Sequence, residues 1–361
     1  LSSSSLAGAL DCPVLLTPKT GLATSTAEAL VSLGVERVVI VGDENSVSKA
    51  ASDAIEGLGI AVERLGGADR FETQMLIYDY GLDRGFWKGD YVVVASGVSP
   101  SDALSVSPIA FRSCAPVFLT DAACSLNDSQ QTALAEAAQG GFGSALIMGD
   151  TNRVSKAAES LVSSVSAGSE RFAGADRYDT SVRVAKWGVS AGVLAGWNGV
   201  AFTTGQKPLD ALGGGALQGR EASPLVLVDD GWGGYAMQNM GAVSSVKVFG
   251  DRYSVSGSIR MEIADNVSGM TYADIPGLKV YIDAGHGWNS SNNGVMDYGA
   301  SGNGLTEWSL TEDLAKRVGA KLENDYGMDV YVNTTGGWYK LRQTDAYNRG
   351  CDLFISIHFN A

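Results

Sequence analysis

Histidine occurs only twice in the 361 residues of this chain, at His286 and His358. His286 follows the apolar run "LKVYIDAG", and His358 follows "LFISI". Each histidine therefore stands at or just past the end of a predicted β-strand. Side chains at the carboxyl ends of parallel strands project into a common crevice, so we expect the two imidazoles to lie close together.

Glu307 is a carboxylate that the sequence directs toward the same sheet. It precedes Leu310 by three residues, Leu314 by seven and Val318 by eleven, which places it on the apolar face of a predicted helix. Burying a carboxylate without a partner is costly, so a partner is expected there. Glu312 falls on the opposite face, where water solvates it. Two imidazoles and one inward carboxylate suit a catalytic Zn²⁺ whose fourth ligand is water.

The same three residues also have a purely structural interpretation. The histidines could be hydrogen-bonded core residues, and Glu307 could be a first-turn acid that the helix dipole favours. No local H-E-x-x-H pattern ties the three side chains together. Spacing alone therefore leaves both interpretations open.

Strands and helices alternate around these residues. Strands are predicted at "KVYIDAGHG", "MDVYVNT" and "CDLFISI". Helices are predicted at "LTEWSLTEDLAKRVGAKLENDYG", with Gly327 as its C-cap, and at "YKLRQTDAYNRG". Short apolar strands separated by helices predict parallel pairing.

Composition argues against several classes of partner. The net charge is −14, which argues against general affinity for nucleic acid or for anionic membranes. The chain contains no apolar run of about 18 residues, the length at which a membrane span is predicted. Its four cysteines form no C-x-x-C pair and are too few for a disulfide scaffold.

Three copies of one pattern precede the histidine-containing segment. The stretch "VVIVGDENSVSKA" returns as "ALIMGDTNRVSKA" and as "VKVFGDRYSVSGS", which aligns Gly42, Gly149 and Gly250. A second element, "RLGGADRFET", returns as "RFAGADRYDT". It aligns Asp69 with Asp176, which lies 107 residues later. Self-similarity at a fixed period is the signature of a repeat architecture.

The alignment divides the chain into five segments. The repeats cover 1–63, 64–167 and 171–266, and the first copy is expected to be partial because the chain begins inside it. Residues 267–277, "VSGMTYADIPG", break the pattern and are predicted to be a linker. The histidine-containing segment occupies 278–361.

Four aspartates of the repeats stand at predicted helix starts: Asp69, Asp102, Asp176 and Asp210. A carboxylate in this position satisfies free backbone N–H groups and the helix dipole. We therefore interpret these residues as helix caps rather than as ligand contacts. The sequence has no G-x-G-x-x-G fingerprint, so no dinucleotide site is predicted.

The repeats resemble the cell wall binding type 2 repeat of Gram-positive, often clostridial, surface proteins. The resemblance rests on "GGADRF", "SGVSPSDALS", "APVFLT" and "IMGDTNRVS". It implies three tandem β/α repeats in a pseudo-threefold arrangement, which hold the protein non-covalently to anionic cell wall polymers. One departure is that the third strand of each copy ends in Gly-Asp where the family usually has Gly-Gly.

The histidine-containing segment resembles the zinc-dependent N-acetylmuramoyl-L-alanine amidases. The motifs are "VYIDAGHG", "MDYGASGNGLTEWSL" and "CDLFISIHFNA". The resemblance implies that His286, Glu307 and His358 bind Zn²⁺, which polarises the carbonyl of the amide and activates water. The family's catalytic glutamate lies on a later strand, so we expect it beyond Ala361 and expect 278–361 to be a truncated amidase domain. Trp288 departs from the family, which usually has glycine there.

These observations lead to an α/β fold class: three tandem β/α repeat units in a pseudo-threefold arrangement, plus a partial α/β amidase domain. The first functional hypothesis is a secreted autolysin at the cell wall, with peptidoglycan and an anionic wall polymer as partners. In this hypothesis residues 1–361 form a fragment that is inactive by itself. The second is a non-catalytic wall-anchoring or surface-layer protein with a vestigial zinc domain. The third is a zinc-dependent amidohydrolase that acts on another wall amide.

Overall fold

The computed structural model describes residues 2–137, 141–206, 210–229, 231–238, 240–241, 243–251, 254–267, 279–326 and 328–359. Two compact units are present, Leu1–Gly250 and Asp251–Ala361. The linker predicted at 267–277 lies outside the described residues from 268 onward. None of the described helices has the length and apolar character of a membrane span.

The first unit contains the first two repeats and most of the third, whose predicted last residues, 251–266, belong to the second unit. Its described helices are α1 (Ser3–Leu10), α2 (Thr24–Ser32), α3 (Lys49–Glu56), α4 (Arg70–Asp83), α5 (Pro100–Ser105), α6 (Ser107–Ser113), α7 (Asp128–Ala137), α8 (Lys156–Ser164), α9 (Arg177–Ser190), α10 (Ala211–Arg220) and α11 (Trp232–Gln238). Its described strands are β1 (Arg37–Val41), β2 (Ala61–Leu65), β3 (Tyr91–Ser96), β4 (Val117–Thr120), β5 (Phe142–Met148), β6 (Ser166–Phe172), β7 (Val200–Thr204), β8 (Leu225–Val228) and β9 (Val246–Phe249).

These strands form three parallel sheets with the orders β1-β2, β4-β3-β5-β6 and β8-β7-β9. Successive residues of β3 enter different cores: Val92 and Val94 lie in one cluster, Val93 and Ala95 in the other. A strand buried on both faces needs a continuous apolar run, which explains "YVVVAS". The predicted α/β class with parallel sheets is confirmed.

The three aligned glycines occupy the same point of each copy, directly after β1, β5 and β9. Their φ angles are 117° for Gly42, 92° for Gly149 and 120° for Gly250, in the left-handed region that glycine adopts without strain. An arginine of the neighbouring strand fastens this turn in two copies. Arg64 donates to the carbonyl of Gly42 at 2.9 Å, and Arg171 donates to that of Gly149 at 2.7 Å.

Two of the four predicted caps are present. Asp69 Oδ1 accepts hydrogen bonds from the N–H groups of the first turn of α4, both at 2.8 Å. Asp176 Oδ1 does the same for α9, at 2.9 and 3.0 Å. Each cap satisfies donors that the helix itself leaves unpaired.

The other two cap predictions are wrong. Asp102 lies inside α5, because Pro100 starts this helix two residues earlier. The Asp102 side chain is buried, and this burial raises its pKa, although Arg153 and Arg177 oppose the shift. Asp210 has a helical backbone, with φ of −62°, and its side chain caps no N–H of α10.

One helix from each copy meets the other two: α1, α6 and α10 are in mutual contact. Glycines permit the close approach. A Cβ at Gly8 would overlap the carbonyl oxygen of Phe111, and one at Gly215 would overlap the hydroxyl of Ser107. Arg220 of the third copy also reaches the first, where its Nη1 lies 3.0 Å from Oδ1 of Asp11. Three equivalent helices in mutual contact agree with a pseudo-threefold arrangement.

The second unit contains a smaller sheet and several short hairpins. Its described helices are α12 (Gly257–Ala264), α13 (Glu307–Tyr326) and α14 (Tyr339–Asn348). Its described strands are β10 (Lys279–Ala284), β11 (Gly287–Trp288), β12 (Met296–Asp297), β13 (Ser301–Gly302), β14 (Leu305–Thr306), β15 (Asp329–Asn333) and β16 (Leu353–Ile357). The main sheet is parallel with the order β15-β10-β16. The predicted parallel pairing is therefore correct.

The buried face of α13 differs in part from the predicted one. Leu310 is 38% exposed, whereas Thr311 and Ala315 are fully buried. Glu307 lies one turn before Thr311 and is buried, as predicted. Glu312 is half-exposed and pairs with Lys316 at 2.6 Å. The predicted C-cap Gly327 lies outside the described residues.

Candidate metal centre

His286 stands two residues past the end of β10, in the sequence Gly285-His286-Gly287. Its φ angle is 69°, a left-handed conformation that is unfavourable for a residue with a Cβ and that recurs at functional sites. This conformation brings the ring to α13, where His286 Nε2 lies 3.1 Å from Oε1 of Glu307. The chain therefore bears local strain at the point where it presents this imidazole.

His358 reaches the same place from the neighbouring strand. In the register of β10 and β16, Ala284 is the partner of Ile357, so both strands end at the same level. Nδ1 of His358 lies 3.4 Å from Oε1 of Glu307. A Cβ at Gly285 would come within 2.5 Å of the His358 ring, so the absence of a side chain there makes room for the imidazole.

Glu307 begins α13, and backbone donors hold its carboxylate in place. Oε1 accepts from the N–H of Phe359 at 2.9 Å, and Oε2 accepts from the N–H of Ala300 at 3.1 Å. Burial alone would raise the pKa of Glu307, but these two hydrogen bonds and His286 outweigh it and lower the pKa. The carboxylate is therefore ionised at neutral pH, as a metal ligand must be.

The three predicted residues converge. One ligand atom from each of His286, Glu307 and His358 lies within 4.8 Å of the others. Two imidazole nitrogens and one carboxylate oxygen are the donor set of many catalytic zinc sites. The residues present therefore fit Zn²⁺, although their role as its ligands stays a prediction.

Asp297 belongs to this centre as well, although neither its residue type nor its spacing in the sequence singles it out. Its Oδ2 lies 3.1 Å from Nδ1 of His286 and also accepts from the hydroxyl of Ser290 at 2.7 Å. The hydrogen bond from Ser290 is the largest of several effects that lower the pKa of Asp297 to about 2. Burial would lower the pKa of His286, but hydrogen bonds to Asp297 and Glu307 raise it. One signal in the sequence could have identified it. Asp297 lies ten residues before Glu307 in the "MDYGASG" stretch, which is part of a motif on which the resemblance to the amidases rests.

A buried ion pair anchors the end of β10. Nη1 of Arg342 lies 2.6 and 2.8 Å from the two carboxylate oxygens of Asp283. Asn333 of β15 and Ser356 of β16 donate to the same carboxylate, at 3.2 and 2.9 Å. A charge buried at this depth needs such partners. The network joins all three strands three residues before His286, and no motif or spacing in the sequence indicates it.

Comparison with known protein families finds two families that match different parts of the chain. Residues 1–52, 64–159 and 171–260 match the Cell wall binding domain 2 (CWB2) family. Residues 280–361 match the N-acetylmuramoyl-L-alanine amidase family.

Two amidases of Bacillus subtilis (strain 168) are among the similar proteins. The N-acetylmuramoyl-L-alanine amidase LytC is 26% identical over 367 residues, which cover 100% of this chain and 67% of the relative. The sporulation-specific N-acetylmuramoyl-L-alanine amidase is 38% identical over 88 residues, which cover 23% of this chain and 32% of the relative.

Two solved structures from Clostridium difficile resemble this one. Cwp6 superposes with a TM-score of 0.63 at 25% identity, covering 100% of this chain and 57% of Cwp6. Cwp8 superposes with a TM-score of 0.61 at 25% identity, covering 75% of this chain and 45% of Cwp8. The chain thus spans about half the length of these two proteins. It belongs to the cell wall binding domain 2 family and carries an N-acetylmuramoyl-L-alanine amidase domain at residues 280–361.

Proposed function

We propose that this chain is part of a secreted peptidoglycan hydrolase, an autolysin of a Gram-positive cell surface. The repeats hold the protein on the wall through an anionic wall polymer. The C-terminal unit contains the residues that would hold Zn²⁺ for hydrolysis of the amide between N-acetylmuramic acid and L-alanine. The observation that carries this proposal is the convergence of His286, Glu307 and His358 within a domain of the amidase family.

The roles of the residues follow from their contacts. His286 through Nε2, Glu307 through its carboxylate and His358 would hold Zn²⁺, which polarises a carbonyl and activates water when bound. Asp297 accepts a hydrogen bond from Nδ1–H of His286, which leaves Nε2 free for the metal. His358 has a side chain that is 40% exposed, so a substrate can approach from that side.

The proton-transferring residue is not assigned to the described part of the chain. Glu307 would be occupied by the metal, and Asp297 is engaged by His286 and Ser290. The expectation that the catalytic glutamate lies beyond Ala361, and that this chain alone is inactive, stays a prediction.

The test separates metal binding from catalysis. We expect the 361-residue chain to bind one equivalent of zinc, measured by mass spectrometry after dialysis, and His286→Ala and His358→Ala to lose it. In the natural protein that contains this sequence, the same variants should no longer release L-alanine N-termini from peptidoglycan. Zinc binding by a natural protein that hydrolyses no wall amide would instead support a non-catalytic anchoring protein. Release of a different new terminus would indicate another wall amide as the substrate.

A further inference from the structure

Three aromatic side chains of the third repeat meet near the carboxyl ends of β7 and β8. The ring of Trp232 stacks on Tyr178, with centroids 5.1 Å apart and planes at 29°. Tyr235 stands almost perpendicular to Trp232, at 4.9 Å and 81°. Tyr178 is buried, Trp232 is half-buried and Tyr235 is 36% exposed. Trp232 and Tyr235 are therefore two rings at nearly a right angle, the first half-buried and the second exposed.

Hydrogen bonds hold this cluster in one arrangement. Oδ2 of Asp229 accepts from the hydroxyl of Tyr178 at 2.8 Å and from the amide of Gln206 at 2.5 Å. The hydroxyl of Tyr235 donates to Oδ1 of Asp179 at 2.8 Å. Rings fixed in this way lose little conformational entropy when a ligand binds, so the surface is preorganised.

The fold itself does not require the cluster, because the second repeat builds the same fold without it. The aligned residues there are Phe71 for Tyr178, Val98 for Gln206, Asp121 for Asp229 and Cys124 for Trp232. Phe71 has no hydroxyl, and Asp121 instead accepts from N–H groups of its own turn, at 2.9 Å in each case. The polar and aromatic residues of the third copy therefore need an explanation other than folding.

The chemistry of the cluster favours a neutral, hydroxyl-rich ring. An aromatic face offers apolar contact area to the C–H face of a pyranose. Nε2 of Gln206 donates to Asp229 and to Tyr178, so the exposed amide offers its carbonyl oxygen as an acceptor for a hydroxyl group. The carboxylate of Asp229, which contacts Gln206, disfavours an anionic group beside that amide. The stacked rings of Tyr178 and Trp232 leave no gap between them in which an ammonium group could be enclosed.

We propose that Trp232, Tyr235 and Gln206 form a subsite for a neutral pyranose residue of a wall glycan. Trp232 supplies the stacking face, Tyr235 closes one side, and the carbonyl oxygen of Gln206 accepts a hydrogen bond from a hydroxyl group. The proposal rests on the proposed attachment of the repeats to the wall. It assigns this contact to a sugar ring rather than to an anionic group.

The experiment titrates the 361-residue chain with cellotetraose and with tetra-N-acetylchitotetraose, by calorimetry and by tryptophan fluorescence. We expect saturable binding of at least one of these neutral glycans. Trp232→Ala should weaken it about tenfold, and Gln206→Ala and Tyr178→Phe about threefold each. Val98→Ala, which changes the aligned exposed residue of the second repeat, should leave it unchanged.

Several results would overturn the subsite. These are no binding of either glycan, binding of choline chloride in their place, or equal losses in Val98→Ala and Gln206→Ala. Gln206 is exposed, so its variant tests the idea even if Trp232→Ala does not fold. Pelleting of the chain with intact cell wall is measured in parallel. If the chain pellets with wall but binds neither glycan, the proposed subsite is wrong, whereas the proposed function is not contradicted.

Discussion

Nδ1 of His286 lies 3.1 Å from Oδ2 of Asp297, on the side of the ring opposite to the candidate metal position. A carboxylate on the second nitrogen of a metal-binding histidine fixes its tautomer and raises its basicity. Asp297 is itself held by Ser290 and by the N–H of Gly299, at 2.7 and 3.0 Å. The orientation of His286 therefore depends on a residue that touches no metal.

The first prediction concerns this positioning residue. We expect Asp297→Ala to weaken zinc binding by about 10- to 100-fold, because the ring of His286 loses its partner. Asp297→Asn should lose less affinity for zinc, since its amide oxygen can still accept a hydrogen bond from Nδ1 of His286. The measurement is competition with a chromophoric chelator. Asp313→Asn, an exposed acid of α13, is the control. Unchanged affinity in Asp297→Ala would show that the contact does not orient the ligand.

The second prediction concerns the contact between α1 and α6. Replacing an exposed glycine in a helix by alanine stabilises a protein by about 1 kcal/mol. Gly8→Ala should instead destabilise the chain by about 1–3 kcal/mol or more, because the new Cβ overlaps the carbonyl of Phe111. Thermal unfolding measures the change. Gly21→Ala, where a Cβ meets nothing within 4 Å, is the control. A stabilised Gly8→Ala variant would contradict the close helix contact.

The third prediction uses a difference between two repeats. Arg171 donates to Glu159 at 2.9 Å, but the aligned residue of the first repeat is Ser52. The residue that aligns with Arg171 is Arg64. Its Nη2 is buried with no hydrogen-bond partner within the described structure. Ser52→Glu should supply the missing carboxylate and stabilise the chain by about 1 kcal/mol. Denaturant unfolding checks this, and Ser52→Gln, which lacks the charge, should gain less. A destabilised Ser52→Glu variant would argue against equivalent surroundings for the two arginines.

The fourth prediction concerns pH. Hydrogen bonds from Arg171 and then Lys156 lower the pKa of Glu159 to about 2, from 4.5. A folded-state pKa below the unfolded one stabilises the fold above the unfolded pKa, and this contribution is lost as pH falls from about 4.5 to about 2. At pH 7, Glu159→Gln should therefore be about 1–2 kcal/mol less stable than the parent, a value reduced for partial exposure. The free energies of unfolding of the parent and of Glu159→Gln should become equal as the pH approaches about 2. A constant difference across this range would rule out the ionised pair as its cause.

The fifth prediction concerns attachment to the wall. If charge pairing with an anionic polymer contributes, binding of the chain to purified wall should weaken between about 0.1 and 1 M salt, as the Debye length shortens. Sedimentation with wall measures the bound fraction. Wall stripped of its anionic polymers should bind less. Equal binding to stripped wall would identify another component as the ligand.

Periodicity in the sequence was sufficient to predict the strands that end near His286 and His358, because buried parallel strands leave long apolar runs. The phase of α13 was harder to predict. Residues four apart are separated by about 400° around a helix, so the apolar stripe drifts by about 40° at each step. Leu310 lies three such steps from Leu322, which explains why one is exposed while the other packs in the core.

The contacts of Asp297 and Asp283 were beyond the reach of spacing arguments. Asp297 meets His286 because an irregular loop folds back through the short β11–β12 pair, and no periodicity encodes such a path. Asp283 meets Arg342 across 59 residues, where both look like ordinary charged residues in the sequence. Pairing of this kind is decided by tertiary structure alone.

The contact of α1 with α10, reinforced by the pair of Asp11 and Arg220 across 209 residues, has a consequence for folding. Each repeat can form its local strand and helix pairs as soon as its own residues are available. The central helix packing, however, cannot close before the third repeat has been synthesised. Contacts of such long sequence separation form slowly, because the intervening chain must first be ordered. The faces of α1 and α6 that pack on α10 therefore stay uncovered during this delay, and in that interval the emerging chain is most open to misassembly.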